Sequence, residues 1–160
     1  MLLSEILHAS VIKTELMAGN KIEAIEELVD VLVAAHEVPL SLREHVLEAV
    51  SNRESQMSTG MEHGIALPHA SSDKIEDIIG TMAVLPEGIE WDSLDGMPAR
   101  IIILMVLPRR NFHGHVRTLA GIAHLMGNAG FRQSLLKARD VDAVLSLIED
   151  AEDKEAFINK

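Results

Sequence analysis

Ser58-Thr59-Gly60-Met61-Glu62-His63-Gly64-Ile65-Ala66-Leu67-Pro68-His69-Ala70 is the stretch that decides the fold. Small, turn-prone residues open it, and Gly64 to Leu67 reads as a short apolar strand. The strand stops at Pro68, and His69 follows at once. Proline fixes its own φ at about −65° and drives the residue before it into extended backbone. Strand, proline and histidine in this order hold an imidazole at a strand end against a stiff backbone. An imidazole titrates near neutral pH and can serve as nucleophile, proton carrier or metal ligand.

On the C-terminal side, Ile78 to Leu85 reads as a second strand, ended by Pro86-Glu87-Gly88, and Asp95-Gly96 marks a turn. Arg100 to Leu107 is β-branched and apolar on both faces, as a central strand covered on both sides requires, and Pro108 stops it. Helices come next. Val116, Leu119, Ile122, Ala123 and Met126 recur at helical spacing until Gly127-Asn128. A short helix spans Phe131 to Lys137, and Asp140 caps a last one through Val141, Val144, Leu145 and Ile148.

On the N-terminal side, Leu2 to Leu7 is a short helical start with Ser4 as its cap. Val11 to Leu16 is a first strand or an extended lead-in. Asn20 caps a helix with apolar residues at Ile22, Ile25, Leu28, Val29, Leu32 and Val33, and Pro39 ends that region. Ser41 and Glu44 have the spacing of a capping box for a second helix. Its apolar face is Leu42, Val46, Leu47, Ala49 and Val50, with Arg53 and Glu54 at or just past its end. Helices, then strands, then helices around a doubly covered strand predict one α/β domain over residues 1–160, a three-layer α/β/α sandwich.

With 160 residues the chain is long enough for a substantial core. One Trp, three Phe and no Tyr leave that core to Leu, Ile, Val, Ala and eight Met, read as flexible fillers. The absence of Cys excludes disulfides, thiol catalysis and cysteine metal sites. A formal charge of −11 argues against binding a nucleic-acid backbone; it suits a basic protein partner or, equally, simply keeps the domain soluble. The acidic run Glu149 to Glu155 reads as a solvated helix end. The longest apolar run, Ile101 to Leu107, is far short of the ~20 residues that span a bilayer. With no secretory pattern at the N-terminus, the expectation is a soluble, cytoplasmic protein with no direct membrane span.

Of eight histidines, His8, His36, His45 and His124 fall in helical patterns and read as surface or boundary residues. His63, His69, His113 and His115 lie next to strand ends, where α/β proteins commonly place their sites. His115 opens a helix whose first N–H groups favour an anion. Arg53 can supply a planar, permanent cation. A nucleophilic imidazole, a donor imidazole and a guanidinium suit phosphoryl transfer, which needs positioning and charge neutralisation. The His113-x-His115 pair with His63 and His69 gives the rival reading of a zinc hydrolase.

These motifs have a recognisable order: Arg53-Glu54, Ser58-Thr59-Gly60, GIALPHA from Gly64 to Ala70, and HVRTLAGI from His115. In this order and over nearly its whole length, the chain resembles the enzyme IIA domains of the mannitol–fructose class of the bacterial phosphoenolpyruvate-dependent sugar phosphotransferase system, including the nitrogen-related branch. The resemblance implies a mannitol-type enzyme IIA fold with a central mixed β-sheet. It implies that His69 accepts a phosphoryl group from HPr or a nitrogen-branch HPr, through Nε2. A IIB domain or a regulatory target protein would be the next partner. His115 would hydrogen-bond the phosphoryl group, and Arg53 would stabilise its charge. Thr59 and His63 are further candidates for phosphate contact. No metal or other cofactor is implied, and a homodimer is compatible with the Leu-, Ala- and Met-rich helical faces.

The chain departs from the family at Glu62-His63, where Gly-Asn is common. A carboxylate near the site would oppose a phosphoryl dianion and raise the pKa of a nearby histidine. His63 could instead donate to the phosphate. The plainer reading, which is preferred, is that both residues sit on an exposed loop and do little. This departure motivates a second expectation: a protein-interaction module that keeps the fold without transferring phosphate. The sequence names neither a sugar nor the choice between transport and regulation.

Overall fold

The computed structural model describes residues 1–158, so residues 159 and 160 of the expected domain lie outside it. The central strand forms as its composition requires. Strand β5 (Ala99–Pro108) is buried along almost its whole length. Strand β4 (Ile79–Ile89) runs antiparallel beside it, with Ile79 opposite Val106 and Val84 opposite Ile101. Strand β1 (Ile12–Lys13) pairs parallel on the outer side of β4.

Two short strands lie end to end along the other side of β5. Strand β2 (Ile65–Ala66) pairs with Ile101 and Ile102, and β3 (His69–Ser72) pairs with Met105 through Pro108, both in parallel. The Pro68 carbonyl keeps the ladder between them by accepting from the Met105 N–H at 3.0 Å. The result is a mixed five-stranded sheet.

Helices cover both faces. Helix α1 (Leu3–Ile6) packs on α6 (Val141–Ile158). Helices α2 (Lys21–Ala34) and α3 (Arg43–Gln56) pack on each other, α2 over β4 and α3 over β3. Helices α4 (Phe112–Met126) and α5 (Ala129–Leu136) pack on β4 and β5, and α6 backs α5. This is the expected three-layer α/β/α arrangement. Among the described residues no helix is long and apolar enough to cross a membrane.

Several local expectations change. The chain does not leave the sheet at Pro68, because β5 offers free edge groups that β3 takes up. Strand β4 continues past Pro86-Glu87-Gly88 through a register shift between Val84 and Ile89, an irregularity that accommodates the proline. Ser41 does not cap α3: the Leu42 N–H closes a 3-10 turn on the Pro39 carbonyl, and Glu44 pairs with Arg43. Ser4 lies inside α1. The N–H groups of Leu3 and Ser4 are taken at 2.7 and 3.0 Å by Glu152, which is therefore buried rather than part of a solvated tail. Asn20 and Asp140 cap as expected, and Asn128 caps α5 besides ending α4. Ile22 is exposed. Met82, Met105 and Met126 fill the core, while Met17 and Met57 face solvent.

Candidate active site around His69

His69 opens β3. Alternation along the strand turns it and Ser71 away from the face that buries Ala70 and Ser72. Its Nδ1 lies 2.8 Å from the Leu67 carbonyl. A carbonyl only accepts, so Nδ1 carries the proton and Nε2 keeps its lone pair. Pro68, with its fixed φ, holds the acceptor and the imidazole in one rigid step. Burial pushes the His69 pKa below the ordinary imidazole value, and the nearby Arg53 cation adds to that effect. The Leu67 hydrogen bond and the Glu54 charge act in the opposite sense without reversing it. His69 is thus a neutral imidazole at pH 7 with one aimed nitrogen.

Arg53 lies in the last turn of α3, where one guanidinium nitrogen donates to the Met57 carbonyl at 2.8 Å. The rest of its donor fork is left for an anion. The following residue, Glu54, turns inward. Val46, Val50 and Glu54 form a four-residue repeat on the buried face of α3. The Glu54 carboxylate accepts from the Thr59 N–H at 2.9 Å, from the Thr59 hydroxyl at 2.6 Å and from the Lys21 ammonium at 3.3 Å. The Trp91 indole donates to the Thr59 oxygen at 3.4 Å, and the Ser58 hydroxyl donates to the Trp91 carbonyl at 2.7 Å. This buried network fixes the Ser58–Gly60 loop between α3 and β2.

The network corrects the role expected of Thr59. Its hydroxyl proton is committed to Glu54, so it has no donor for a phosphate and acts as an anchor. His63 is corrected as well. Ile65 is level with Ile101 and His69 with Met105, four residues along β5, or about 13 Å. His63 lies still further back, with left-handed backbone and its N–H on Asp95. Glu62-His63 therefore sits away from the imidazole on exposed residues, as the reading of an exposed loop expects.

His115 lies in the first turn of α4, half-buried, with Nε2 at 3.1 Å from the Arg110 carbonyl. No hydrogen bond joins it to His69. The side chain of Asn111 does not cap α4, which leaves the helix start open. His63, His69, His113 and His115 do not converge: among the described residues no group of three potential ligands could hold a metal. His45, read as a surface or boundary residue, is half-buried, lies 2.6 Å from the buried Ser72 hydroxyl and ties α3 to β3. The Ser72 carbonyl accepts from the Arg109 N–H on the path to α4. Ser72 thus links the strand of His69 to the elements that carry Arg53 and His115. Of the residues the sequence left without a role, Glu54 had a visible signal, a carboxylate in phase with buried valines. Ser72 had none.

A model of the family described as phosphoenolpyruvate-dependent sugar phosphotransferase system, EIIA 2, matches residues 5–151. The chain is 32% identical over 148 residues to the fructose-specific EIIABC component of Bacillus subtilis, covering 92% of this chain but only 23% of that relative. It is 28% identical over 146 residues to a nitrogen regulatory protein of Bradyrhizobium diazoefficiens, covering 91% of this chain and 94% of the relative. Among solved structures it is similar to nitrogen regulatory protein IIA-Ntr from Neisseria meningitidis, with a TM-score of 0.83 and 25% identity, covering 91% and 98% of the two chains.

Proposed function

This chain belongs to the phosphoenolpyruvate-dependent sugar phosphotransferase system EIIA type 2 family, and on that premise we propose that His69 is the residue through which it relays phosphate. The observation that carries the assignment is the 2.8 Å contact between Nδ1 and the Leu67 carbonyl, which leaves Nε2 as the only nucleophilic nitrogen.

The chain is a phosphotransferase component. In the relay, a phosphoimidazole of an HPr-like carrier meets neutral His69 in line. The Nε2 lone pair forms the new N–P bond while the carrier's N–P bond breaks, and the leaving imidazole keeps the electron pair. The Nδ1 proton stays on the Leu67 hydrogen bond. Arg53 and the open start of α4 offset charge on the phosphoryl oxygens. His115 joins as donor after releasing the Arg110 carbonyl. The next acceptor is a IIB domain, or the phosphorylated form is itself a regulatory state. The fructose-specific relative favours the first and the nitrogen regulatory relative the second. The acidic surface fits a carrier with a basic docking face. The proposed unit is one domain over residues 1–160, acting in the cytoplasm.

The test is incubation with phosphoenolpyruvate, enzyme I and HPr from the sugar and nitrogen branches in turn, followed by intact mass. The expected result is an acid-labile gain of about 80 Da, absent in His69→Ala. The better carrier identifies the branch. One observation favours a non-transferring interaction module: the His115 donor is occupied at rest by Arg110. On that reading the mass would not change with any carrier, while partner binding would survive His69→Ala.

A further inference from the structure

A cavity lies at the opposite end of the sheet from His69. It measures about 300 Å³, and its walls include His63, Asp95, Arg100, Arg132, Met97 and Leu136. Arg100 precedes Met105, the partner of His69, by five residues on β5, so about 16 Å separate the two regions along the strand.

Two arginines lining one cavity stand out on a chain of net charge −11. Among the described residues no carboxylate forms an ion pair with either arginine. The Arg132 guanidinium and the Arg100 stem are held in place. The Arg132 guanidinium donates to the Met126 carbonyl at 2.8 Å, which fixes its orientation and leaves further N–H groups unused. The Arg100 stem runs between Gly64 and Gly88. A β-carbon on Gly88 would lie 3.2 Å from Arg100 Cγ, and one on Gly64 would lie 3.7 Å from it. Both glycines have positive φ, so neither position easily accepts a side chain.

The one carboxylate in the cavity is already engaged. Asp95 accepts from the backbone N–H groups of His63 and Met97, and these bonds hold its pKa below the usual carboxylate value. Its charge is therefore offset locally instead of closing onto an arginine. Ala129, the first residue of α5, also lines the cavity and adds the positive end of that helix. Met97 and Leu136 supply an apolar wall for a carbon skeleton.

We infer that this cavity binds a dianionic small metabolite, gripped by Arg100 and Arg132 through a phosphate or carboxylate group, at a site separate from His69. Planar guanidinium forks match either group in bidentate geometry. The volume is at the lower end of that of small-molecule sites. His63, remote from the imidazole, lines this cavity, so that half of the family departure would bear on ligand choice here.

The test is a ¹⁵N NMR titration of the full chain at constant ionic strength, with inorganic phosphate, glucose 6-phosphate and succinate as probes and chloride as control. The expected result is saturable shifts at Gly64, Ala129 and the Arg100 and Arg132 side chains, with Kd of about 1 mM or tighter for at least one probe. Arg100→Ala and Arg132→Lys would each weaken that probe about tenfold or more. Phosphate probes and succinate separate the two head groups. Phosphorylation of His69, followed by mass, would stay unchanged in Arg100→Ala, which shows that the variant is folded and keeps the two proposals distinct. Absence of saturable shifts with all three probes, or shifts that persist undiminished in both variants, would overturn the inference.

Discussion

Glu54 accepts two hydrogen bonds from Thr59, from its backbone N–H and from its hydroxyl, inside a buried network that also takes in Lys21 and Trp91. The residue before it, Arg53, lies near enough for its charge to help lower the His69 pKa, so one turn of α3 both anchors the loop before β2 and brings a cation near His69. Removing the carboxylate leaves buried donors without a partner. Glu54→Ala should lower unfolding free energy by about 1–3 kcal/mol, read from urea denaturation, and should slow His69 phosphorylation. An unchanged urea midpoint would mean that the network does not hold the loop.

The His69 environment predicts a pH profile. Burial and Arg53 disfavour the imidazolium, so the imidazole NMR titration should have its midpoint below the ordinary value of about 6.5. Arg53→Gln should move that midpoint upward. Between the folded pKa and about 6.5 the unfolded chain holds more proton than the folded one, so stability falls as pH drops through this window. Below the folded pKa the loss stops growing, and above about 6.5 it disappears. The stability difference between wild type and His69→Gln, followed from pH 8 downward, should show this slope. A midpoint at or above that of free imidazole would contradict the buried, cation-flanked geometry.

Position decides the effect of Glu62-His63. These residues lie beyond Ile65, which is itself about 13 Å along the strand from His69. Converting them to Gly-Asn should leave the rate of His69 phosphorylation within about twofold, as expected for sites this far apart. A large acceleration in a stopped-time transfer assay would show that the acidic turn reaches the imidazole.

His115 must exchange the Arg110 carbonyl for a phosphoryl oxygen if it is to donate. Losing a hydrogen bond to a charged group costs about 1.5–3 kcal/mol, so His115→Ala should slow transfer about ten- to a hundredfold. The His69 titration should move little. A normal transfer rate in this variant would confine His115 to holding the β5–α4 turn.

What the sequence revealed depended on whether the cause was local. The β5 strand was legible because its apolar run admits few alternatives. His69 was legible because Pro68 restricts the backbone next to it. Strand β3 was not, since His-Ala-Ser-Ser has little strand character and pairs only because β5 presents a free edge. The burial of Glu152 depends on the α1 backbone, 149 residues away in sequence at Leu3. Thr59 was recognisable as belonging to the site, but its work depends on Glu54 and Trp91, which the chain brings together only on folding. His63 looked close because sequence distance hides the length of an extended strand.

The most direct test of the His69 relay is the position of its phosphate. Protein phosphorylated through phosphoenolpyruvate, enzyme I and the more effective carrier would be examined by long-range ¹H–¹⁵N NMR of its histidine rings. With Nδ1–H held by the Leu67 carbonyl, the result predicted is phosphate on Nε2 of His69, with Nδ1 still protonated. Phosphate on Nδ1 of His69, or on any other histidine, would contradict it.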